Sequence, residues 1–412
     1  VKALVLERNL PRFAAARVAS FLGSGRGAGI GPLQLLDAHA PERPGEDWFP
    51  LRPLLSGICG SDLATLDGRT SRYFEDLVSF PFVPGHEVVG VLDDGGVDVS
   101  GHELAPGTRA VIEPVLGCRP RHIEPVCVQC GSGHTGLCGN LAFGALEPGL
   151  QTGYCAGTGG GWSTAPLMAH SSQLHAVPEA LSDQDAVMIE PTACAVHAAL
   201  SAGIAAGDLI AVVGAGTLGL TTVAALHHLV RPTTGCTVVV GAKHGRQREL
   251  AASLGADHVV PPDQLARTVR RRAGSLVVAG RLTEGADVVL DCVGSAASIT
   301  EALSMVRPRG RVVLVGMPAK VSVDLAPLWH RELTLVGAYA YGSEASPEPG
   351  AADRRSFELA IDLVADAELG RLVSALYPLE RYEEALAHAG SAGRRGAVKV
   401  AFDLRNPKGR SR

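Results

Sequence analysis

Two textures of hydrophobic patterning divide the chain. Through residues 1–184, short β-type runs such as Glu87-Val88-Val89-Gly90-Val91-Leu92 alternate with Gly- and Pro-rich segments, including 23–31 and 157–161. That pattern predicts an antiparallel, barrel-like domain with long functional loops. From about residue 185 helical stretches alternate with short apolar strands at Leu209 to Val213, Thr237 to Val240, Val288 to Leu290 and Arg311 to Val315. Alternation of this kind predicts βαβ units and a parallel sheet over 185–338. A Pro-rich loop, 346–350, then interrupts a last mixed segment, 339–412. The chain therefore reads as α/β, with a β-rich domain and a doubly wound parallel-sheet domain. No tandem repeat or extended low-complexity tract occurs.

Composition narrows the function classes. Hydrophobic residues make up 46% and charged residues 19%, which excludes a disordered chain. A net charge of −5 and a pI near 6.3 argue against a nucleic-acid partner. The basic tail Arg405, Lys408, Arg410 and Arg412 reads as a frayed, solvated end. No run approaches the ~18 apolar residues of a spanning helix, so no membrane partner is expected. The start, Val1 to Leu6, is strand-like and lacks the layout of an export signal. Nine unevenly spaced cysteines in a long chain point to a reducing cytoplasm and to metal ligation.

The first chemical motif follows the strand ending at Val213. Gly214-Ala215-Gly216-Thr217-Leu218-Gly219 is G-x-G-x-x-G, and helix-forming residues come next. The first Gly permits the tight turn, the second lets the backbone approach a pyrophosphate, and the third lets helix pack on strand. The phosphates then meet the free N–H groups of a helix N-terminus. After the second strand an NAD site usually carries an acid for the ribose 2′-hydroxyl. Here Lys243, Arg246 and Arg248 all come before the first carboxylate, Glu249. Cations without that acid suit a 2′-phosphate, so NADP is favoured over NAD.

Cys127, Cys130 and Cys138 are spaced C-x2-C-x7-C, with Cys118 nine residues upstream. Four thiolates on Gly-rich turns, in a lobe over about 117–140, suit a closed tetrahedral zinc. Glu124 is the alternative first ligand, and Cys118 is preferred because thiolates dominate such sites. Three remote segments offer further ligand types. Cys59, Ser61 and Asp62 lie in one, His86 and Glu87 in another, and Glu190 just before a Pro-started helix in the third. Together they provide thiolate, imidazole and carboxylate for an open, catalytic zinc.

The ordered set of Gly214 to Gly219, the cysteine lobe, Cys59-Gly60-Ser61-Asp62, Gly85-His86-Glu87 and Glu190-Pro191 resembles the zinc-dependent medium-chain dehydrogenases of the alcohol dehydrogenase superfamily. The Glu-Pro ligand is most similar to the sorbitol, glucose and threonine dehydrogenase branch. The resemblance runs from Val1 to about Leu404 and implies a GroES-like catalytic domain with an inserted Rossmann domain. It implies Cys59, His86 and Glu190 as catalytic zinc ligands, Glu87 as an adjacent carboxylate able to exchange onto the metal, and Asp62 as the group orienting His86. Ser61 would carry the substrate hydroxyl proton. Two zinc ions per chain, a homodimer or homotetramer, and a small alcohol or ketone substrate are implied as well.

Three departures from the family pattern stand out. Ala64 occupies the place of a frequent relay His, the first lobe cysteine is displaced by six residues, and the acid after the second Rossmann strand is missing. Two alternatives remain open at this stage: a zinc-free reductase of activated double bonds, and a non-catalytic dinucleotide-binding protein. Tyr73 and Phe74 suit either a pocket wall or an exposed surface, while Trp329, Tyr339 and Tyr341 read as core.

Overall fold

The computed structural model describes residues 1–21, 28–278, 281–345 and 352–405. Most of the 23–31 loop, the Pro-rich loop and the basic tail beyond Arg405 lie outside the described residues. By internal contacts the chain divides into two units: Val1–Glu190 with Glu368–Ala392 and Lys399–Arg412, and Pro191–Ala367 with Gly393–Val398. The chain thus returns to the first unit at Glu368, whereas the change of texture in the sequence had placed that return near 339. The helix Ser356–Asp366 accounts for the difference, because its buried Phe357, Ala360 and Leu363 belong with the second unit.

In the first unit, strands Val373–Tyr377, Lys399–Asp403, Trp48–Gly57, Val88–Leu92, Thr108–Ile112 and Leu174–Ala176 lie side by side, and Leu167–His170 also pairs with Trp48–Gly57. All these pairings are antiparallel except Val373–Tyr377 with Lys399–Asp403. Alternating positions along the strands point inward, so Leu51, Val88, Leu92, Ala110, Ile112, Leu167 and Ala169 make one core. Chain connection matters here: the late strand Lys399–Asp403 fills the position beside Trp48–Gly57, with Ala401 opposite Gly57.

In the second unit six parallel strands follow the order His258–Val260, Thr237–Gly241, Leu209–Val213, Ala286–Asp291, Val306–Leu314, Thr334–Gly337. Numbered along the chain that order is 3-2-1-4-5-6, the doubly wound arrangement whose reversal beside the first strand creates a ligand crevice. Val239, Val289 and Val312 pack against Leu265 and Val269 on the helix Pro262–Arg272 and against Ile299 and Leu303 on the helix Ala296–Met305. Asp263 in the first turn and Arg270 to Arg272 in the last complement the dipole of the former helix.

Two aromatic expectations fail. Trp329, on the five-residue helix Ala326–His330, is 82% exposed, and Tyr339 is 41% exposed; only Tyr341 is buried. A helix so short buries no face large enough to take an indole with it. Tyr73 is also exposed and stacks edge-to-face on Phe74. Among the described residues no helix is long and apolar enough to cross a membrane.

Candidate active site and metal centres

Cys59 caps the short helix Gly60–Leu66, and Asp62 in its first turn accepts the Cys59 amide proton at 2.9 Å. That local bond fixes the direction in which the thiol and Asp62 project. The other carboxylate oxygen of Asp62 lies 3.4 Å from His86 Nδ1. The ligand atoms of Cys59, His86 and Glu87 lie within 4.8 Å of one another, and the last two side chains are buried. The tight trio therefore contains Glu87 where the resemblance had put Glu190 on the metal.

Glu190 is nevertheless part of the same electrostatic group. Burial raises its carboxyl to about 7; His86 and Lys399 pull it back down, and Glu87 pushes it up. A carboxyl in that setting suits a cation, which would hold it ionised. Glu87 already has its own cation, because Lys399 Nζ donates to both its oxygens at 2.6 Å. A methyl group on Gly57 would fall 1.9 Å from Glu87 Oε2, so this carboxylate needs a glycine opposite it. Among the paired strands, Lys399 and Gly57 are brought near each other by the Ala401–Gly57 register.

Tyr154 closes the other side of His86, with ring centroids 5.9 Å apart. Its hydroxyl donates to Asp62 Oδ1 at 3.4 Å and lies 3.5 Å from Thr65 Oγ1, with the Ser61 side chain close enough to act on the phenol. Thr65 in turn contacts Thr70 Oγ1 at 3.1 Å. Burial raises the Tyr154 phenol far above its ordinary value, with Asp62 adding to the effect, so it stays protonated. The sequence reading missed both Lys399 and Tyr154. One signal for Lys399 was available: a lone cation inside the apolar run Ala397 to Phe402. Nothing local marks Tyr154.

The lobe cysteines converge. The sulfurs of Cys118, Cys127, Cys130 and Cys138 lie within 4.8 Å of one another; Cys118 and Cys138 are 3.6 Å apart, Cys127 and Cys138 3.9 Å. A tetrahedral ion with ligands at about 2.3 Å requires sulfur–sulfur edges of about 3.8 Å, so the four thiols fit zinc. Cys118, rather than Glu124, completes the set. Amides aim at these sulfurs as they would at thiolates: Cys127 N to Cys118 at 3.3 Å and Asn140 N to Cys138 at 3.3 Å. Against the upward push of burial, backbone donors at Cys130 and Gly139 draw the Cys127 thiol down to about 6.

Arg121 wraps the lobe from inside. Fully buried, it donates to the carbonyls of Leu116, Phe143, Leu146, Glu147 and Gly149 at 2.7–3.2 Å. This guanidinium ties the residues around Cys118 to the far end of the lobe, which the sequence reading did not foresee.

In the second unit Gly214 has a positive φ of 91°, and the helix Thr217–Ala225 starts directly after Gly216. A methyl group on Gly219 would strike the Gly214 carbonyl oxygen at 2.0 Å, whereas one on Gly216 would meet open space. Thr217 and Leu218 form the first helical residues, half-exposed. The result is a backbone cradle open on the side of Gly216, which fits a pyrophosphate. Of the three cations after the second strand, Lys243 is exposed, Arg246 pairs with Glu249 at 3.2 Å, and Arg248 donates to the carbonyls of Ala242 and Lys243.

Comparison with known proteins agrees with this geometry. Residues 45–179 match the alcohol dehydrogenase GroES-like domain, and residues 218–364 match the zinc-binding dehydrogenase model. L-idonate 5-dehydrogenase of Vitis vinifera is 26% identical over 84% of this chain and 86% of its own length. Sorbitol dehydrogenase of Arabidopsis thaliana is 28% identical over the same shares. A protein of Sinorhizobium meliloti 1021 solved with NADP superposes with a TM-score of 0.67 and 26% identity, covering 90% of this chain and 95% of that one.

Proposed function

Because the chain belongs to the zinc-dependent medium-chain dehydrogenases of the alcohol dehydrogenase superfamily, we propose that it transfers a hydride between a nicotinamide dinucleotide and the carbinol carbon of a polyol or related alcohol, or the matching ketone. The polyol class is supported by the named activities of the relatives, which act on idonate, sorbitol and xylulose. The observation that carries the reading is the buried meeting of Cys59, His86 and Glu87, with Glu190 coupled to them. A zinc-free reductase of double bonds would have no use for that set.

Zinc, when bound, polarises the substrate oxygen, and the dinucleotide accepts or supplies the hydride. The chain's own residues do the rest. Cys59, His86 and Glu190 would hold the ion, since Lys399 occupies both oxygens of Glu87. Asp62 fixes the imidazole of His86. Ser61 Oγ relays the hydroxyl proton, accepting it as it hands its own on towards solvent, and the Tyr154 hydroxyl near it helps keep Ser61 in position to do so. Cys118, Cys127, Cys130 and Cys138 would hold a second zinc, which would tie the lobe together. The cofactor is NADP, the setting is the reducing cytoplasm that nine free thiols suit, and the assembly is a homodimer or homotetramer.

Metal analysis and a screen of polyols and ketones with both coenzymes test the reading. Two zinc ions per chain are expected, with turnover lost in Cys59→Ala and His86→Ala while dinucleotide binding persists. One ion per chain, or equal loss of turnover and binding, would overturn it.

A further inference from the structure

The cations after the second Rossmann strand are fewer in effect than they are in sequence. Arg248 braces the turn by holding two of its carbonyls, and Arg246 shares its charge with Glu249. Lys243 and His244 are left, and one exposed ammonium is a weak device for selecting a phosphate dianion.

More positive charge arrives from another part of the chain. The short stretch Gly393–Val398 leaves the unit to which its flanking residues belong and packs with the nucleotide domain instead. Contact there is close: a methyl group on Gly393 would lie 2.5 Å from His244 Cδ2, 2.8 Å from His244 Nε2 and 3.1 Å from Gln247 Nε2. His244 precedes the helix Gly245–Ser253, so the visiting turn touches the end of the strand where an adenosine ribose is read. The next two residues of that 3-10 turn, Ala392–Arg395, are Arg394 and Arg395, both exposed. Burial does not explain two arginines there. A phosphate does, because guanidinium groups match its oxygens in a planar, two-pronged geometry.

We propose that Arg394 and Arg395 form, with Lys243, the binding site for the 2′-phosphate of NADP, so that coenzyme choice is read from two separated stretches of the chain. This rests on the reading of Gly214 to Gly219 as a dinucleotide cradle, and it deepens the cofactor assignment made above. The geometry also gives the glycine at 393 a reason, since a methyl group there would crowd the side chains of His244 and Gln247. A larger residue would have to displace either the His244 ring or the turn that carries both arginines.

Fluorescence titration of the full chain with NADPH and with NADH tests the proposal without any substrate. The wild type should bind NADPH at least about tenfold more tightly than NADH at low salt. The double variant Arg394→Gln/Arg395→Gln should lose about tenfold or more in NADPH affinity, keep NADH within about twofold, and show a shallower salt dependence for NADPH. Arg271→Gln, on the exposed end of the helix Pro262–Arg272, should change neither affinity. An unchanged NADPH affinity in the double variant, an equal loss for both coenzymes, or a wild type that prefers NADH would overturn the proposal. Tight NADPH binding with no turnover of any alcohol would leave the phosphate site standing and remove the dehydrogenase reading alone.

Discussion

Lys399 grips both oxygens of Glu87 at 2.6 Å, and neither side chain reaches solvent. A buried pair of this kind contributes little net stability while intact, because both charges have left water. Breaking it is another matter. Lys399→Met should destabilise the protein by about 3–5 kcal/mol, since an unpaired carboxylate then remains buried. Lys399→Met/Glu87→Gln should recover most of that loss. Urea denaturation of the three proteins measures both steps; equal midpoints for the single and double variants would show that the pair does not act as described.

Tyr154→Phe removes one hydroxyl and keeps the ring against His86. Ser61 and Asp62 lose a partner while the Cys59 to Asp62 bond survives. Turnover should fall about tenfold or more, zinc content should stay constant, and NADPH affinity should not move. Loss of zinc in this variant would make the phenol a structural support of His86 instead.

Arg121→Met should loosen the cysteine lobe, because it strips a charged donor from five carbonyls inside the protein. A cost of at least about 3 kcal/mol is expected from buried acceptors left without partners. Release of zinc to a chromophoric chelator should be faster than in the wild type, with the ion at Cys59 unaffected. Unchanged release would mean that the thiols alone set the lobe's hold on its metal.

His170 sets a pH limit on stability. Burial, with His122 and Arg119 adding positive charge nearby, lowers its imidazole to about 4, although Asp47 opposes the shift. Its Nδ1 accepts the Ser172 amide proton at 3.1 Å, which needs the neutral ring. The unfolded chain, with histidine near 6.5, therefore takes up the proton first. Stability from this residue should be complete above about pH 6.5 and be lost as pH falls toward 4, by up to about 3 kcal/mol. In His170→Gln the fall over that window should be shallower, as judged by thermal midpoints.

How much of this was legible beforehand depended on how local the cause was. Gly214 to Gly219 are contiguous, and the turn at Gly214 and the close approach of Gly219 to its carbonyl both lie inside one short motif, so the cradle could be read directly. The strand Leu209–Val213 has the ends expected of it and Thr237–Gly241 runs one residue further than expected, while Val306–Leu314 began earlier than its apolar run suggested. Four lobe cysteines within 21 positions advertised themselves through chemistry that few other arrangements serve. Lys399, Tyr154 and Arg121 stayed hidden because each acts on groups that only folding brings near. Glu87 was visible beside His86, but its capture by Lys399 was hidden for the same reason, since the strand register brings Lys399 there. The exposed Trp329 misled because an indole usually signals a core, and only the brevity of its helix says otherwise.

The separation of Glu87 from Lys399 along the chain, 312 residues, has a consequence for synthesis. Nearly all of the β-rich half leaves the ribosome before the strand that completes it exists. At about 5–20 residues per second the wait is roughly 15–60 s. For that time the nascent polypeptide holds an unfilled sheet position and lacks the ammonium that pairs with Glu87, while all of the nucleotide half but Gly393–Val398 is encoded without a break from 191 to 367 and is free to close on itself. The half that holds the Cys59, His86 and Glu87 cluster is begun before the nucleotide half and finished after it, which leaves an interval in which its incomplete sheet needs shielding.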